Sequence, residues 1–205
     1  MKGLDVNTWK RKQQYDHFKD FHDPYFAVTI PFMVGEAYKS SKANGTSFFA
    51  RYLHDCMKAI NAIENLKLRV LNNEVVYYDV IHASATLMRA DHTFAWSYIP
   101  FSESLDSFVQ NLNEEKERVR NSNDFYPPED NLDCIHCSAM PWFNFIGHKE
   151  AASGQFDSVP KLAFGKTYSS EGQLMMNLAI HVNHALADGY DVGLFAEAFQ
   201  YNLNN

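Results

Sequence analysis

The sequence contains no apolar run approaching the roughly 20 residues that cross a bilayer, and its start, MKGLDVNTWKRKQQYD, has no apolar segment of signal-peptide type. A membrane protein is therefore not expected, and the cytoplasm is the expected compartment. Positive charge is in deficit, with 18 Lys and Arg against 25 Asp and Glu, for a net charge of -7. That balance excludes a broad phosphate-neutralising face, and with it general binding of nucleic acid or anionic membranes. Any anionic ligand has to be held by a few local cations. Cysteine is scarce and odd in number: Cys56, Cys134 and Cys137 build no disulfide framework and fit a reducing compartment. The CIHC pair (134–137) has half the spacing of a zinc site, but no second CxxC completes it, so no metal is expected. GxGxxG and GxxxxGK[ST] are both missing, which removes the usual nucleotide loops. Without internal repeats or a linker rich in Pro, Gly or Ser, residues 1–205 read as one domain.

Apolar side chains are plentiful. Hydrophobic residues make up 46% of the chain and aromatics 15%, enough to bury a large core. YFAVTIPFM (25–33) is β-branched and aromatic and predicts a strand, with Pro31 marking an edge or an end. From Ser47, the positions Phe49, Leu53, Cys56, Ile60 and Ile63 recur at helical spacing, with Thr46 or Ser47 as the expected cap. Residues 66–100 read as a β-meander with a tight turn at Asn72-Asn73. A second helix carries Leu105, Phe108, Val109, Leu112 and Val119 on one side, and NEEKER (113–118) reads as its solvated face. Strand-like segments follow in 134–146, 161–168 and 173–184. A short last helix, with Val192, Phe195, Ala196 and Phe199 in phase, begins at Gly189. The pattern predicts an α+β fold: a large mixed or antiparallel sheet with packed helices.

Chemistry concentrates where the last strand ends, in IHVNHALADG (180–189). Leu174, Met176, Leu178, Ile180 and Val182 share one face, and His184 falls in phase with it at the strand end. Taken alone, such a histidine is either a hydrogen-bonded inert side chain or a base exposed to a substrate. A metal site of His181, His184 and Asp188 is disfavoured, because strand residues three apart point to opposite faces. Gly189 is expected to permit the turn through a positive φ or a close backbone approach.

The HxxxDG form of HALADG (184–189) has company in the chain. WKRK (9–12), LRVLNNEVVYYDVIHASATL (68–87), HTFAW (92–96), SAMPW (138–142) and LAIHVNHALADGYDVGLF (178–195) occur in the order of the landmarks of the chloramphenicol acetyltransferase family of CoA-dependent acyltransferases, which the chain resembles over nearly its whole length. The resemblance implies an acetyl-CoA-dependent O-acetyltransferase acting on chloramphenicol or a similar hydroxylated small molecule, with acetyl-CoA as co-substrate. It implies His184 as general base and the Ser138 hydroxyl as donor to the developing oxyanion. It also implies Asp188 as a structural partner of Arg11, a buried pair whose rupture would cost about 3–5 kcal/mol. Lys166 and Tyr168 match positions near the CoA end of a tunnel. A homotrimer follows as well, with active sites in its subunit interfaces.

The chain also departs from the family pattern. Asn183 stands where drug-acetylating members carry a first histidine, Ala163 where they carry a threonine near the acceptor, and Ser47 where a second lysine precedes the first long helix. Two other readings accompany the main one: a non-catalytic trimeric ligand-binding homologue, and a catalytic core like that of a dihydrolipoyl acyltransferase, which no lipoyl segment or Ala/Pro-rich linker accompanies here.

Overall fold

The structure, a computed structural model, describes residues 1–128, 131–151 and 157–205. In chain order its elements are β1 (Lys2–Gly3), α1 (Lys12–Phe18), β2 (Tyr25–Met33), α2 (Gly35–Ala43), α3 (Phe48–Ala62), a 3₁₀ turn (Glu64–Lys67), β3 (Leu68–Leu71) and β4 (Glu74–Tyr77). Then come β5 (His82–Met88), β6 (Phe94–Trp96), α4 (Leu105–Asn121), β7 (Cys134–Ala139), β8 (Lys161–Phe164), β9 (Tyr168–Ser170), β10 (Gln173–Asn183) and α5 (Gly189–Asn204). The main sheet runs β2-β10-β8-β7-β5-β6, with β9 added to β10. The pairs β5/β7 and β7/β8 are parallel and the others antiparallel, so the expected mixed sheet with packed helices is present.

Pro31 sits on β2, which pairs with β10 alone, so its missing N–H leaves no gap in the interior of the sheet. Asn72 and Asn73 turn the β3/β4 hairpin with φ of 52° and 65°, the left-handed pair that matches strand twist. The meander expected over 66–100 is nevertheless two structures. β3 and β4 join β1 in a separate three-stranded sheet, whereas β5 and β6 belong to the main one. Ser47 occupies the N-cap position of α3, yet its side chain makes no capping bond, contrary to expectation. The last helix is not short: its 16 residues match the 15 of α3, against which it packs. NEEKER is also only partly a solvated face. Glu115 and Arg118, with side chains 15% and 19% exposed, form an ion pair of 2.8 Å, and Glu115 also accepts from the Tyr98 N–H.

The even-numbered face of β10 supplies Met176, Leu178, Ile180 and Val182 to the core beneath the helices. Alternation alone predicts that the odd face is wet, but Asn177, His181 and Asn183 are buried. Each of them meets a backbone carbonyl. The Asn177 amide donates to the Phe145 carbonyl, His181 Nε2 lies 3.2 Å from the His148 carbonyl, and the Asn183 amide donates to the Asp157 carbonyl. The segment 140–151 thus lies over the back of the sheet. It approaches so closely that a Cβ at Gly165 would stand 3.2 Å from the Phe145 ring and 3.3 Å from the Asn177 carbonyl oxygen.

Arg69 ties the two sheets together. From β3 its guanidinium, fully buried, donates to the carbonyls of Leu66, Leu68, Leu132 and Cys134 at 2.6–2.9 Å. Burial pulls its pKa down to about 10, which leaves it charged at neutral pH. Arg69→Leu leaves four buried acceptors without a donor, so urea denaturation is expected to show a loss of at least about 3 kcal/mol. An unchanged urea midpoint is the result that counts against this account.

Candidate active site

His184 stands one residue beyond β10, where its N–H donates to the Pro24 carbonyl at 2.8 Å. Its half-buried ring is stacked on Phe18 at 4.3 Å and 10°, with Phe26 tilted against it at 4.7 Å. Nδ1 lies 3.3 Å from the Ala187 carbonyl oxygen. A carbonyl can only accept, so the hydrogen is on Nδ1 and the lone pair on Nε2, the arrangement a base requires.

The turn that holds the ring is anchored by burial. Ala185 and Leu186 enter a second apolar cluster with Tyr15, Leu68 and Val75, between α1 and the small sheet. Arg11, almost fully buried, donates to the Asp188 carboxylate and, at 3.2 Å, to the His184 carbonyl. Asp188 is also the N-cap of α5, accepting from the Tyr190 N–H at 2.9 Å, while Asp191 accepts from the Asp188 N–H to close a capping box. Burial pushes the Asp188 carboxyl up, but the Arg11 hydrogen bond and the capping N–H groups outweigh it and hold the pKa below the usual carboxylate range. Gly189 has neither expected property. Its φ is not positive and nothing lies within 4 Å of where its Cβ would be, because Asp188 makes the turn by extended geometry and Gly189 is simply the first residue of α5.

Ser138 lies near the end of β7, and its Oγ accepts from the Thr86 hydroxyl at 3.3 Å, which leaves its own hydrogen free to donate. It faces a cavity of about 530 Å³, whose walls include Phe49, Tyr52 and Trp142. Lys116, Glu150 and His148 line the same cavity. Lys116 Nζ stands 6.0 Å from the Phe49 ring centroid, and no carboxylate among the described residues lies within ion-pair reach of it. Burial, and then the neighbouring Arg120, lower its pKa. Lys166 is exposed just past β8, outside this cavity, and the Tyr168 hydroxyl donates to Asn177 at 2.9 Å. Ala163 is fully buried.

Within one chain the structure brings His184, Arg11 and Asp188 together, but not His184 and Ser138. β7 is parallel to β8, and β8 is antiparallel to β10, which sets Ser138 level with Ala163 and Ala163 level with Ala179. His184 lies five residues further along β10, on the far side of β8. Strand geometry therefore separates the two by about 20 Å. Sequence reasoning missed Thr86, Phe18, Phe26 and the charged cavity residues. Thr86 becomes visible only through the β5/β7 register, in which it follows the Ala85–Cys137 pair. Phe18 belongs to a seven-residue helix too short for periodicity to declare.

Residues 1–200 match the family model described as Chloramphenicol acetyltransferase. A solved structure of a chloramphenicol acetyltransferase superposes with a TM-score of 0.91 at 26% identity, covering 98% of each chain. The chloramphenicol acetyltransferase of Proteus mirabilis is 25% identical over 203 residues, which are 97% of this chain and 93% of that protein. A probable dihydrolipoamide acetyltransferase from Listeria monocytogenes shares the fold alone, with a TM-score of 0.67 at 14% identity, covering 99% of this chain and 94% of that one. Fold and family together define an enzyme of the acyltransferase class. The chain belongs to the chloramphenicol acetyltransferase family, within the CoA-dependent acyltransferases.

The Asp188 side chain is 35% exposed while that of Arg11 is 8% exposed, so the cost of breaking their pair is below that of a fully buried one. Asp188→Asn is expected to lower stability by about 1–2 kcal/mol at neutral pH. Because the folded carboxyl has a depressed pKa, this increment is present above the ordinary carboxylate range and is lost as pH falls through the folded value. Chemical denaturation of both proteins across acid pH checks it: the two stability curves converge at low pH, and parallel curves contradict the assignment.

Proposed function

We propose that this enzyme is an acetyl-CoA-dependent O-acetyltransferase for a hydroxyl of chloramphenicol or a similar small molecule, and that each active site is built from two copies of the chain, in a homotrimer. The observation that carries the reading is the division of the machinery. One end of the sheet holds an oriented imidazole with Nε2 available, and the other holds a hydroxyl donor in a cavity. Ranged about 20 Å apart in one chain, they can serve one reaction only when His184 of one copy faces Ser138 of the next.

Acetyl-CoA supplies the acetyl group as a thioester. His184 Nε2 takes the proton of the acceptor hydroxyl as its oxygen bonds to the acyl carbon, a role worth about 10²- to 10⁴-fold. Ser138 Oγ donates to the carbonyl oxygen on which negative charge develops. The C–S bond then breaks, the imidazolium returns its proton to the departing thiolate, and the products are the acetyl ester and the free thiol. Arg11 and Asp188 fix where Nε2 points and take no part in the bond changes. The cavity has the volume of a small-molecule site. Its cation, Lys116, and the exposed Lys166 are the groups we assign to the phosphates of the donor, and Tyr168 offers its ring edge while its hydroxyl braces Asn177.

Light scattering at micromolar concentration is expected to report three times the chain mass of 23.6 kDa, and a monomer mass overturns the shared site. Thiol release from acetyl-CoA with chloramphenicol is expected to vanish in His184→Ala and to fall about 10²- to 10³-fold in Ser138→Ala. Coexpression of these two variants supplies the decisive check. The coexpressed pool regains about a quarter of the wild-type sites, and mixed trimers isolated from it about a third, if each site draws its histidine and serine from different copies assorting independently. No recovery in isolated mixed oligomers refutes the arrangement.

A further inference from the structure

The Ser138 cavity is also lined by a tyrosine, Tyr52, whose hydroxyl the transfer chemistry leaves unused. Tyr52 belongs to α3, three residues after Phe49, so both rings leave the same side of the helix and line the same cavity. The residue is 7% exposed, and its hydroxyl has no hydrogen-bond partner among the described residues. A buried tyrosine ordinarily has one, because a hydroxyl taken from water without a replacement bond costs stability. The Cys56 and Cys137 thiols lie near it, and neither is bonded to it. Unlike His148 Nδ1, which is sealed from solvent, Tyr52 Oη retains accessible surface on the cavity. Burial pushes its pKa up, so at neutral pH the oxygen keeps its hydrogen and can donate.

A run of contacts defines where this hydroxyl stands. Lys116 Nζ is 6.0 Å from the Phe49 ring centroid, the Phe49 and Tyr52 rings meet edge to face at 5.5 Å, and Tyr52 lies against Phe164 at 4.8 Å. Phe164 is level with Ala139 on β7, the residue next to Ser138. Tyr52 therefore lies between the cation assigned to the donor's phosphates and the hydroxyl assigned to the thioester oxygen. Acetyl-CoA has the same order of groups: phosphates at one end, the thioester at the other, and between them a pantetheine arm whose polar groups are a hydroxyl and neutral amides. Of the other polar side chains in the cavity, Thr86 is bonded to Ser138, Glu150 Oε1 stands 3.8 Å from His148 Nδ1 on the segment behind the sheet, and His92 is exposed. We propose that Tyr52 is a donor-binding residue, whose hydroxyl donates to an amide carbonyl of the pantetheine arm and so holds the thioester at Ser138. The inference rests on the acyl-transfer reading, since it takes acetyl-CoA to be the donor. A neutral amide also suits this aromatic stretch of wall, where an anion loses its hydration without meeting a cation.

Tyr52→Phe removes the oxygen and keeps the ring, so it separates a ligand contact from a structural one. Binding of coenzyme A, and of pantetheine, which lacks the phosphates, is measured by calorimetry on the intact protein and the variant, and both free proteins are unfolded in urea. Tyr52→Phe is expected to weaken both ligands by the same factor, about three- to thirtyfold. Its urea midpoint is expected to equal or exceed that of wild type, because the free protein loses no hydrogen bond. Lys116→Met is expected to weaken coenzyme A far more than pantetheine. Unchanged affinity for both ligands in Tyr52→Phe overturns the assignment, and so does a loss confined to coenzyme A, which puts the hydroxyl at the nucleotide. A lower urea midpoint overturns it as well, since it reveals a structural partner. In these three cases binding of coenzyme A by the wild-type protein leaves the acyl-transfer reading standing. Failure of the wild-type protein to bind coenzyme A removes that reading, and this inference with it.

Discussion

One buried cation organises the half of this molecule that carries His184. The guanidinium of Arg11 reaches from the start of α1 to a carboxylate and a carbonyl more than 170 positions away in sequence, and those two acceptors bracket the HALADG turn. Because the side chain of Arg11 is nearly excluded from water, it has little hydration to fall back on, and its partners stabilise the closed region. The same carboxylate caps α5, so β10, the turn, α1 and α5 are registered against one another at a single point. The aim of the His184 ring is a by-product of that registration, sharpened by the stacked Phe18 and the plug of Ala185 and Leu186.

Strand direction governs the rest. A parallel pair beside an antiparallel one sends the end of β7 and the end of β10 to opposite rims of the sheet. On the reading proposed here, a lone chain is two half-sites, and a thioester bound at the Ser138 rim lies about 20 Å from the His184 of its own chain. Association then does more than stabilise: it creates the catalyst.

How far the sequence alone reaches differs between these two features. The period-2 pattern of 174–182 exposed β10 and its buried face, and the HxxxDG spacing pointed at His184, Asp188 and, through WKRK, at Arg11. These are local signals, carried by adjacent residues or by a motif. The opposite face of β10 was hidden because its polar Asn177, His181 and Asn183 imitate a wet surface while meeting the carbonyls of Phe145, His148 and Asp157. NEEKER misled for a related reason: charge marks exposure only until it finds a partner, and Glu115 and Arg118 had found one. The split of 66–100 into two sheets, the length of α5 and the opposed rims are long-range outcomes of topology, to which no window of sequence has access. Gly189 was credited with a conformation that the extended Asp188 before it had already made unnecessary.

Gly165 shows how small a determinant of cavity shape can be. The crossing segment that carries Trp142, His148 and Glu150 sits against the sheet at ordinary contact distance only because no methyl group projects from residue 165 toward Phe145. That absent carbon acts as a shim of zero thickness. Inserting one pushes this segment from its seat by a few tenths of an ångström, so the calibre of the cavity is set by a residue outside its lining.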